Sequence, residues 1–301
     1  MARWSARSRP DRAGWTSGCG RAAALTLRVR LRSRRDPAAG EALDSGMPAV
    51  ATDAIVLHVR NYLESSRILR LITRDHGVQS VLARGARRPK SRFGAALDLF
   101  AQGTAQLELR PGRDLQTLSA FEVTRVRVGL ASDLERFSAA ATLSECLQRL
   151  VTEEHAPSAF ALTARALEAI ATAPSERLTG VTLGALWALV AEVGLAPSLS
   201  ACASCDRPVG PEETAAFSHA AGGVLCAECA SRAPGARRLP PSARDAIAAW
   251  LSDEPEAVTL ASDAEGRAHQ RLLREFLGQH VVESRLLRAW AAWEQAGAAS
   301  A

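Results

Sequence analysis

Two Cys-x-x-Cys pairs, Cys202-Ala203-Ser204-Cys205 and Cys226-Ala227-Glu228-Cys229, stand twenty residues apart and constrain this chain more than any other feature. Two thiolates separated by two residues share one tight turn and clasp one ion. Two such turns brought together present four sulfurs in a tetrahedron, the geometry of Zn²⁺. Pro208, Gly210 and Gly222-Gly223 supply the turns that such a ribbon needs. Four protein sulfurs leave no open position for water, so the expectation is a structural zinc held by Cys202, Cys205, Cys226 and Cys229. An iron–sulfur cluster or a redox dithiol would use the same residues and remains an alternative. With no secretory segment in the chain, the doubled spacing favours metal in a reducing cytoplasm over a disulfide framework. Of the other cysteines, Cys19 stands alone, and Cys146 falls in a helical pattern where a buried small hydrophobe is expected. His219, between the pairs, reads as a surface residue rather than a ligand.

Charge divides the chain into three. Residues 1–46 carry a net +6, residues 47–128 another +6, and residues 129–301 a net −7. Such asymmetry predicts one segment that meets a polyanion and another that does not. Residues 1–46 are rich in Arg, Ala, Gly and Ser and show no sustained period, so a disordered basic extension or a start-site artefact before Met47 is expected there. The longest apolar stretch, from Val181 to Ala196, is interrupted by Glu192 and two glycines; it reads as a buried helix and not a membrane span.

From Thr52 the periodicity is that of strands. Runs from Thr52 towards Asn61, Ser66–Thr73, Val78–Arg84, Phe100–Leu109 and Leu115–Arg125 are separated by turns such as Arg74-Asp75-His76-Gly77 and Arg110-Pro111-Gly112-Arg113. Five short strands in about 80 residues predict a small closed or nearly closed barrel of the oligonucleotide-binding (OB) type. A five-stranded sandwich or an SH3-like barrel suits the pattern almost as well. After Gly129 the period becomes helical: Leu134, Phe137, Ala141, Leu143, Leu147 and Leu150 mark one helix, and Phe160, Leu162, Ala166, Leu167 and Ile170 a second. A third is expected from Glu176 to Val193 with Ser175 as its N-cap, a fourth after Pro240-Pro241, and closing helices across Glu265–Glu294. The fold class predicted is α+β and multidomain. An OB barrel at 47–128 is followed by an all-α body at 129–301, with a four-cysteine zinc module inserted at 200–232.

The second chemical signal is Arg84-Gly85-Ala86-Arg87-Arg88-Pro89-Lys90-Ser91-Arg92-Phe93, five cations in nine positions with an aromatic at the edge. Guanidinium groups grip phosphate oxygens bidentately, and an aromatic ring beside them is placed to stack on an unpaired base. Arg84, Arg87, Arg88, Lys90, Arg92 and Phe93 are therefore the candidate DNA contacts, joined by Arg67, Arg110 and Arg113 on neighbouring strands and turns. The plainer reading is a solvated basic loop with Phe93 in the core. Catalytic patterns are missing: the single lysine follows Pro89, which excludes a phosphate-binding Gly-Lys-Ser/Thr loop, and the chain has no HExxH, no GxSxG and no Asp-x-Asp cluster. No enzyme is expected.

The run Ala54-Ile55-Val56-Leu57, then Tyr62, Glu64-Ser65-Ser66-Arg67, Thr73-Arg74-Asp75-His76-Gly77 and Ala83-Arg84-Gly85-Ala86-Arg87-Arg88 resembles the N-terminal domain of RecO recombination-repair proteins. Phe217 with Gly222-Gly223-Val224-Leu225-Cys226 resembles their zinc module, and His280 with Ser284-Arg285 their closing helices. The resemblance spans about residues 48–290 in the right order. It implies a mediator without catalysis that binds single- and double-stranded DNA and anneals complementary strands. It further implies contacts with RecR and with the tail of the single-strand-binding protein, and indirect help in loading RecA. For that acidic, apolar tail, Arg271, Arg274, Arg285 and Arg288 are the candidate partner contacts. A cytoplasmic, nucleoid-associated protein with no membrane attachment is expected. The main alternative is a zinc-ribbon and OB module that binds RNA in transcription or translation; a nuclease assembled from distant carboxylates is a third.

Overall fold

A computed structural model describes residues 49–93, 96–252, 258–280 and 288–299 of the 301-residue chain. The expected basic extension, Met47, Cys19 and Arg285 lie outside the described residues.

Five strands, β1 (Val50–Tyr62), β2 (Ser66–Thr73), β3 (Gly77–Ala83), β4 (Gln102–Glu108) and β5 (Gln116–Arg125), close a barrel in the order β1-β2-β3-β5-β4. The long β1 makes this possible. Its first half pairs with β4, from Val50↔Leu107 to Ile55↔Gln102, and its second half with β2, out to Tyr62↔Ser66. A parallel contact of Val81 with Gln116 and Leu82 with Thr117 then joins β3 to β5, completing the OB arrangement and setting aside the sandwich.

The middle of β1 is apolar on both faces because both are covered. Ala54 and Val56 point into the barrel core with Leu69, Leu71, Val81, Leu107 and Leu118. Ile55 and Leu57 belong instead to the core of the helical body, as does Ile72 of β2. A strand buried on both sides reads as a continuous apolar run, which is what Ala54-Ile55-Val56-Leu57 is. Beyond the irregularity at Val56/His58 one face opens to solvent, and His58, Arg60 and Tyr62 are exposed.

The helices follow in order: α1 (Leu134–Leu150), α2 (Ala156–Thr172), α3 (Ser175–Glu192), the short α4 (Ala227–Ala230), α5 (Pro241–Trp250), α6 (Asp263–His280) and α7 (Arg288–Ala299). Asp133 caps α1, its carboxylate accepting from the N–H of Arg136 at 2.7 Å. The predicted apolar stripe of α1 is buried at Leu143 and Leu147 but not at its N-terminal end. Leu134 and Phe137 are exposed, while the small residues Ser138, Ala139, Thr142 and Cys146 are buried beside those leucines. Cys146 is buried, as its place in that pattern implied, and burial pushes its thiol up to about 12. Ser175 does not cap α3; Pro174 occupies that position and accepts only through its carbonyl, from Arg177 N–H. Leu183, Leu186, Trp187, Leu189 and Val190 of α3 are all buried. No described helix is long and apolar enough to cross a membrane.

Barrel and body meet along a polar seam laid over an apolar one. Arg127, after β5, is almost wholly buried and donates to the carbonyl of Phe100, to Gln102 and to the carbonyl of Ala164 in α2. Arg70 of β2 bonds Ser80 and the Gln148 carbonyl of α1. Arg74, in the β2–β3 turn, lies over the ring of Phe160 at 5.3 Å. In that turn Gly77 has φ +62, and a Cβ there would meet the Thr152 carbonyl at 2.9 Å, so only glycine suits the position.

A second sheet, β6 (Ala215–Ser218), β7 (Gly223–Leu225) and β8 (Arg237–Leu239), runs in the order β7-β6-β8, with the cysteine pairs before β6 and after β7.

Candidate nucleic-acid face and metal centre

The Cys-x-x-Cys pairs flank the small sheet. Cys202 opens a tight turn in which its N–H donates to the Arg207 carbonyl and its own carbonyl accepts from Asp206, with Asp206 in the left-handed region at φ +58. Cys226 caps the single turn α4, which swings Cys229 back towards it. Ala203 N–H bonds the Val224 carbonyl and locks one turn to the other. Gly223 is required here, because a Cβ would lie 2.4 Å from the Ser198 carbonyl.

The result is four sulfurs all within 4.8 Å of one another, with Cys205 and Cys226 at 3.9 Å. Sulfurs bound tetrahedrally to zinc at about 2.3 Å stand roughly 3.8 Å apart, so the residues present fit that ion. Their acidities point the same way. Burial opposes ionisation of Cys202, but N–H groups of Cys226, Ser204 and Cys205 overcome it and bring that thiol down to about 6. Cys226 is lowered by the N–H of Cys229. Hydrogen bonds with Cys205 and Cys226 push Cys229 up to about 12, and Cys205 rises too, although the Arg207 N–H opposes the rise. Hydrogen bonds at the four thiols thus push two down and two up. A cation at their centre would favour the thiolate at all four. A cation held by all four sulfurs would have no open position for water, which suits stapling the turns together rather than activating water.

The module is part of the body rather than a knob on it. Cys202, Cys226, Phe217 and Val224 belong to the main core cluster, and Phe217 lies 5.9 Å from Phe276 of α6, which lies 5.7 Å from Trp187 of α3. His219 corrects the surface expectation. It is largely covered, with Nε2 3.1 Å from Glu275 of α6, and its backbone carbonyl meets His280 Nε2 at 3.0 Å. It is not among the clustered ligands.

Elsewhere in the molecule the β3–β4 connection plugs the barrel mouth. Ala86, Phe93 and Leu97 are buried in the barrel core, while Arg84, Arg87, Arg88, Lys90 and Arg92 stay exposed on the same segment. Phe93 is 3% exposed with the Arg92 guanidinium 5.1 Å over its ring, so it anchors the loop and presents no face to a base. Arg67 is turned towards the mouth and donates to the Leu97 carbonyl at 3.2 Å. The loop is held on its other flank as well: Arg87 N–H donates to the Ser65 carbonyl, and its guanidinium to the carbonyls of Leu63 and Glu64.

The Arg110–Arg113 turn is set by Gln116, whose amide accepts from Arg110 N–H and donates to the Arg110 and Arg113 carbonyls. Since Gln116 pairs with Val81, this turn approaches β3 from the side opposite β2. Arg113 is exposed and Arg110 half-buried. Arg60, exposed on the outer face of β1, was missed in the sequence. The exposed alternation His58, Arg60, Tyr62 after a buried run was the available signal.

Arg271 and Arg288 are exposed on α6 and α7, Arg274 is ion-paired with Glu294, and Arg285 is outside the described residues.

A family model described as Recombination protein O N terminal matches residues 47–127, and one described as Recombination protein O C terminal matches residues 131–288. The DNA repair protein RecO of Anaeromyxobacter sp. (strain Fw109-5) is 36% identical over 233 residues, covering 75% of this chain and 89% of that protein. The DNA repair protein RecO of Anaeromyxobacter sp. (strain K) is 36% identical over 244 residues, 78% of this chain and 92% of its own length.

Proposed function

The chain belongs to the RecO family, and on that footing we infer that it is a non-enzymatic mediator of DNA repair and recombination. It binds single- and double-stranded DNA without reading bases, anneals complementary strands and helps load a recombinase onto strands coated with single-strand-binding protein. The observation that carries this reading is the plugged barrel mouth, where one segment buries Ala86, Phe93 and Leu97 and turns Arg84, Arg87, Arg88, Lys90 and Arg92 to solvent. Exposed cations along one rim neutralise phosphates wherever they fall along a strand, which gives affinity without sequence preference. Two strands neutralised side by side lose the repulsion that opposes pairing, which is the physical requirement for annealing.

The net −7 of residues 129–301 suits the helical body to protein contacts rather than DNA. Exposed Arg271 and Arg288 are its candidate contacts for an acidic, apolar tail such as that of the single-strand-binding protein, with RecR as a second partner and RecA served indirectly. Zinc at Cys202, Cys205, Cys226 and Cys229 holds the body's shape. Strand annealing on DNA coated with single-strand-binding protein tests the function. Acceleration by the wild type, lost when Arg84, Arg87, Arg88 and Arg92 are replaced by Ala, is the expected result. The same replacement lowers the slope of log affinity against log salt for single strands by about 0.7 per lost contact. Unchanged affinity and slope would remove the loop from the reading, and no annealing by the wild type would overturn it.

A further inference from the structure

Beside the cationic loop, the barrel presents an exposed surface that the phosphate contacts do not use. The outer face of β1 beyond Val56/His58 displays Arg60 and Tyr62, and the pairings Arg60↔Ile68 and Ile68↔Leu82 extend it across β2 and β3. Ile68 and Leu82 are half-buried, whereas their neighbours Leu69 and Val81 fill the barrel. At the tip, Tyr62 is 39% exposed and Leu63 is 75% exposed. Tyr62 is the only tyrosine of the chain.

Leu63 has φ +51, a backbone region that disfavours a residue with a Cβ and suits Asn or Gly better. Neither burial nor turn chemistry accounts for a leucine there. The turn is held in that shape by the loop itself, since Arg87 donates to the carbonyls of Leu63 and Glu64 and Gly85 N–H to the Ser66 hydroxyl. An exposed apolar tip tied through Arg87 to a loop of five exposed cations is matched to a ligand with flat apolar faces strung on a phosphate backbone. Duplex DNA hides those faces and a single strand offers them.

We propose that Tyr62, with Leu63 at its tip and Arg60, Ile68 and Leu82 beneath, is a base-stacking platform that lets the protein distinguish single-stranded from duplex DNA. The inference rests on the DNA-binding reading above and adds the part of the site that engages bases. The loop cations hold phosphates of either form, and the platform adds contact only where bases are unpaired. Leu63 supplies an edge that separates neighbouring bases on the strand.

The test compares binding of an oligo-dT strand and of a blunt duplex by the full zinc-loaded chain. Tyr62→Ala is expected to weaken strand binding by about 5- to 150-fold, leaving duplex binding and both salt slopes as in the wild type. Tyr62→Phe should retain strand binding, because the ring and not the hydroxyl carries the contact. Leu63→Asn should melt no lower than the wild type, since Asn tolerates the left-handed turn, and should still bind the strand more weakly. A 5-bromodeoxyuridine strand should crosslink to the peptide containing Tyr62. Wild-type strand affinity in Tyr62→Ala overturns the platform, as does an equal loss on strand and duplex. A wild type that binds neither probe at low salt overturns the DNA-binding reading and the platform with it.

Discussion

Arg127 and Gln102 meet at 2.7 Å on the barrel side of the seam with the helical body. The same guanidinium donates to the carbonyls of Phe100 and Ala164, and its Nε stands 3.4 Å from Glu168. Burial pulls its pKa down, and Glu168 opposes that shift. One buried cation thus ties the start of β4 to two turns of α2.

Replacing Arg127 by Ala leaves a buried carbonyl at Phe100 without its donor, and removes the tie to α2 at the same time. A loss of about 2–4 kcal/mol is expected in urea unfolding followed by circular dichroism. Arg125→Ala is the control, because its pair with the same Glu168 is exposed on both sides and should be worth less than about 1 kcal/mol. Equal effects from the two would show that the seam does not depend on the buried group.

Phe93 gives a second expectation, opposite in kind to base stacking. The ring fills the barrel mouth with Leu97 and Ala86, so Phe93→Ala should cost about 3–5 kcal/mol as a core truncation. Binding to a single strand should fall only as far as the folded fraction falls. If the variant melts like the wild type yet loses binding, the ring acts on DNA after all.

The difference between Phe93 and the cysteines shows what the sequence could display. The cysteine ligands are specified by local spacing, two residues within a pair, and that spacing survives in any fold the chain adopts. Strand positions were legible for the same reason, since alternation and Gly or Pro turns are local. Phe93 stands in a run of arginines with no period, where a plug and a stacking ring look alike. Only the closed barrel, which needs something in its mouth, separates them. Arg127 carried no local signal because its partners Phe100, Gln102, Ala164 and Glu168 are distant in sequence. His219 reads as exposed until α6 brings Glu275 to it.

Two histidines give the pH dependence its sign. His269 is 3% exposed, edge-on to Trp250 at 4.9 Å, and burial lowers its pKa; burial also lowers that of His219, with Glu275 opposing. The unfolded chain, with histidine near about 6.5, takes up these protons before the folded one does. Stability is therefore complete above about pH 6.5 and declines as pH falls below it, by at most about 1.4 kcal/mol per pH unit for each group. Thermal melts of zinc-loaded protein from about pH 7.5 to 5 should show the decline, and His269→Phe should flatten it. A wild type and variant that decline in parallel would assign the effect to other groups.

The last expectation concerns how far the loss of metal is felt. Cys202 and Cys226 are core residues as well as candidate ligands, and Phe217 between them reaches Phe276 of α6. Across the same boundary Glu275 of α6 takes both His219 and, at 2.7 Å, Arg237 of β8. A module joined to α6 by an aromatic contact, the Arg237–Glu275 ion pair and the His219–Glu275 contact cannot come apart alone. Its loss uncovers apolar surface on α6 and, through Trp187, on α3. Structural zinc in such sites binds with on the order of 10 kcal/mol, comparable with the whole stability of a domain. Purified protein should hold one zinc per chain, and Cys226→Ser should lose it. Chelation should lower the melting temperature of the helical body as a whole, with the first proteolytic cuts between residues 200 and 240. Single-strand binding should persist through the early part of that transition, because the barrel has its own core, distinct from that of the body. Zinc that can be stripped without any change in melting would show that the four cysteines hold a metal the fold does not need.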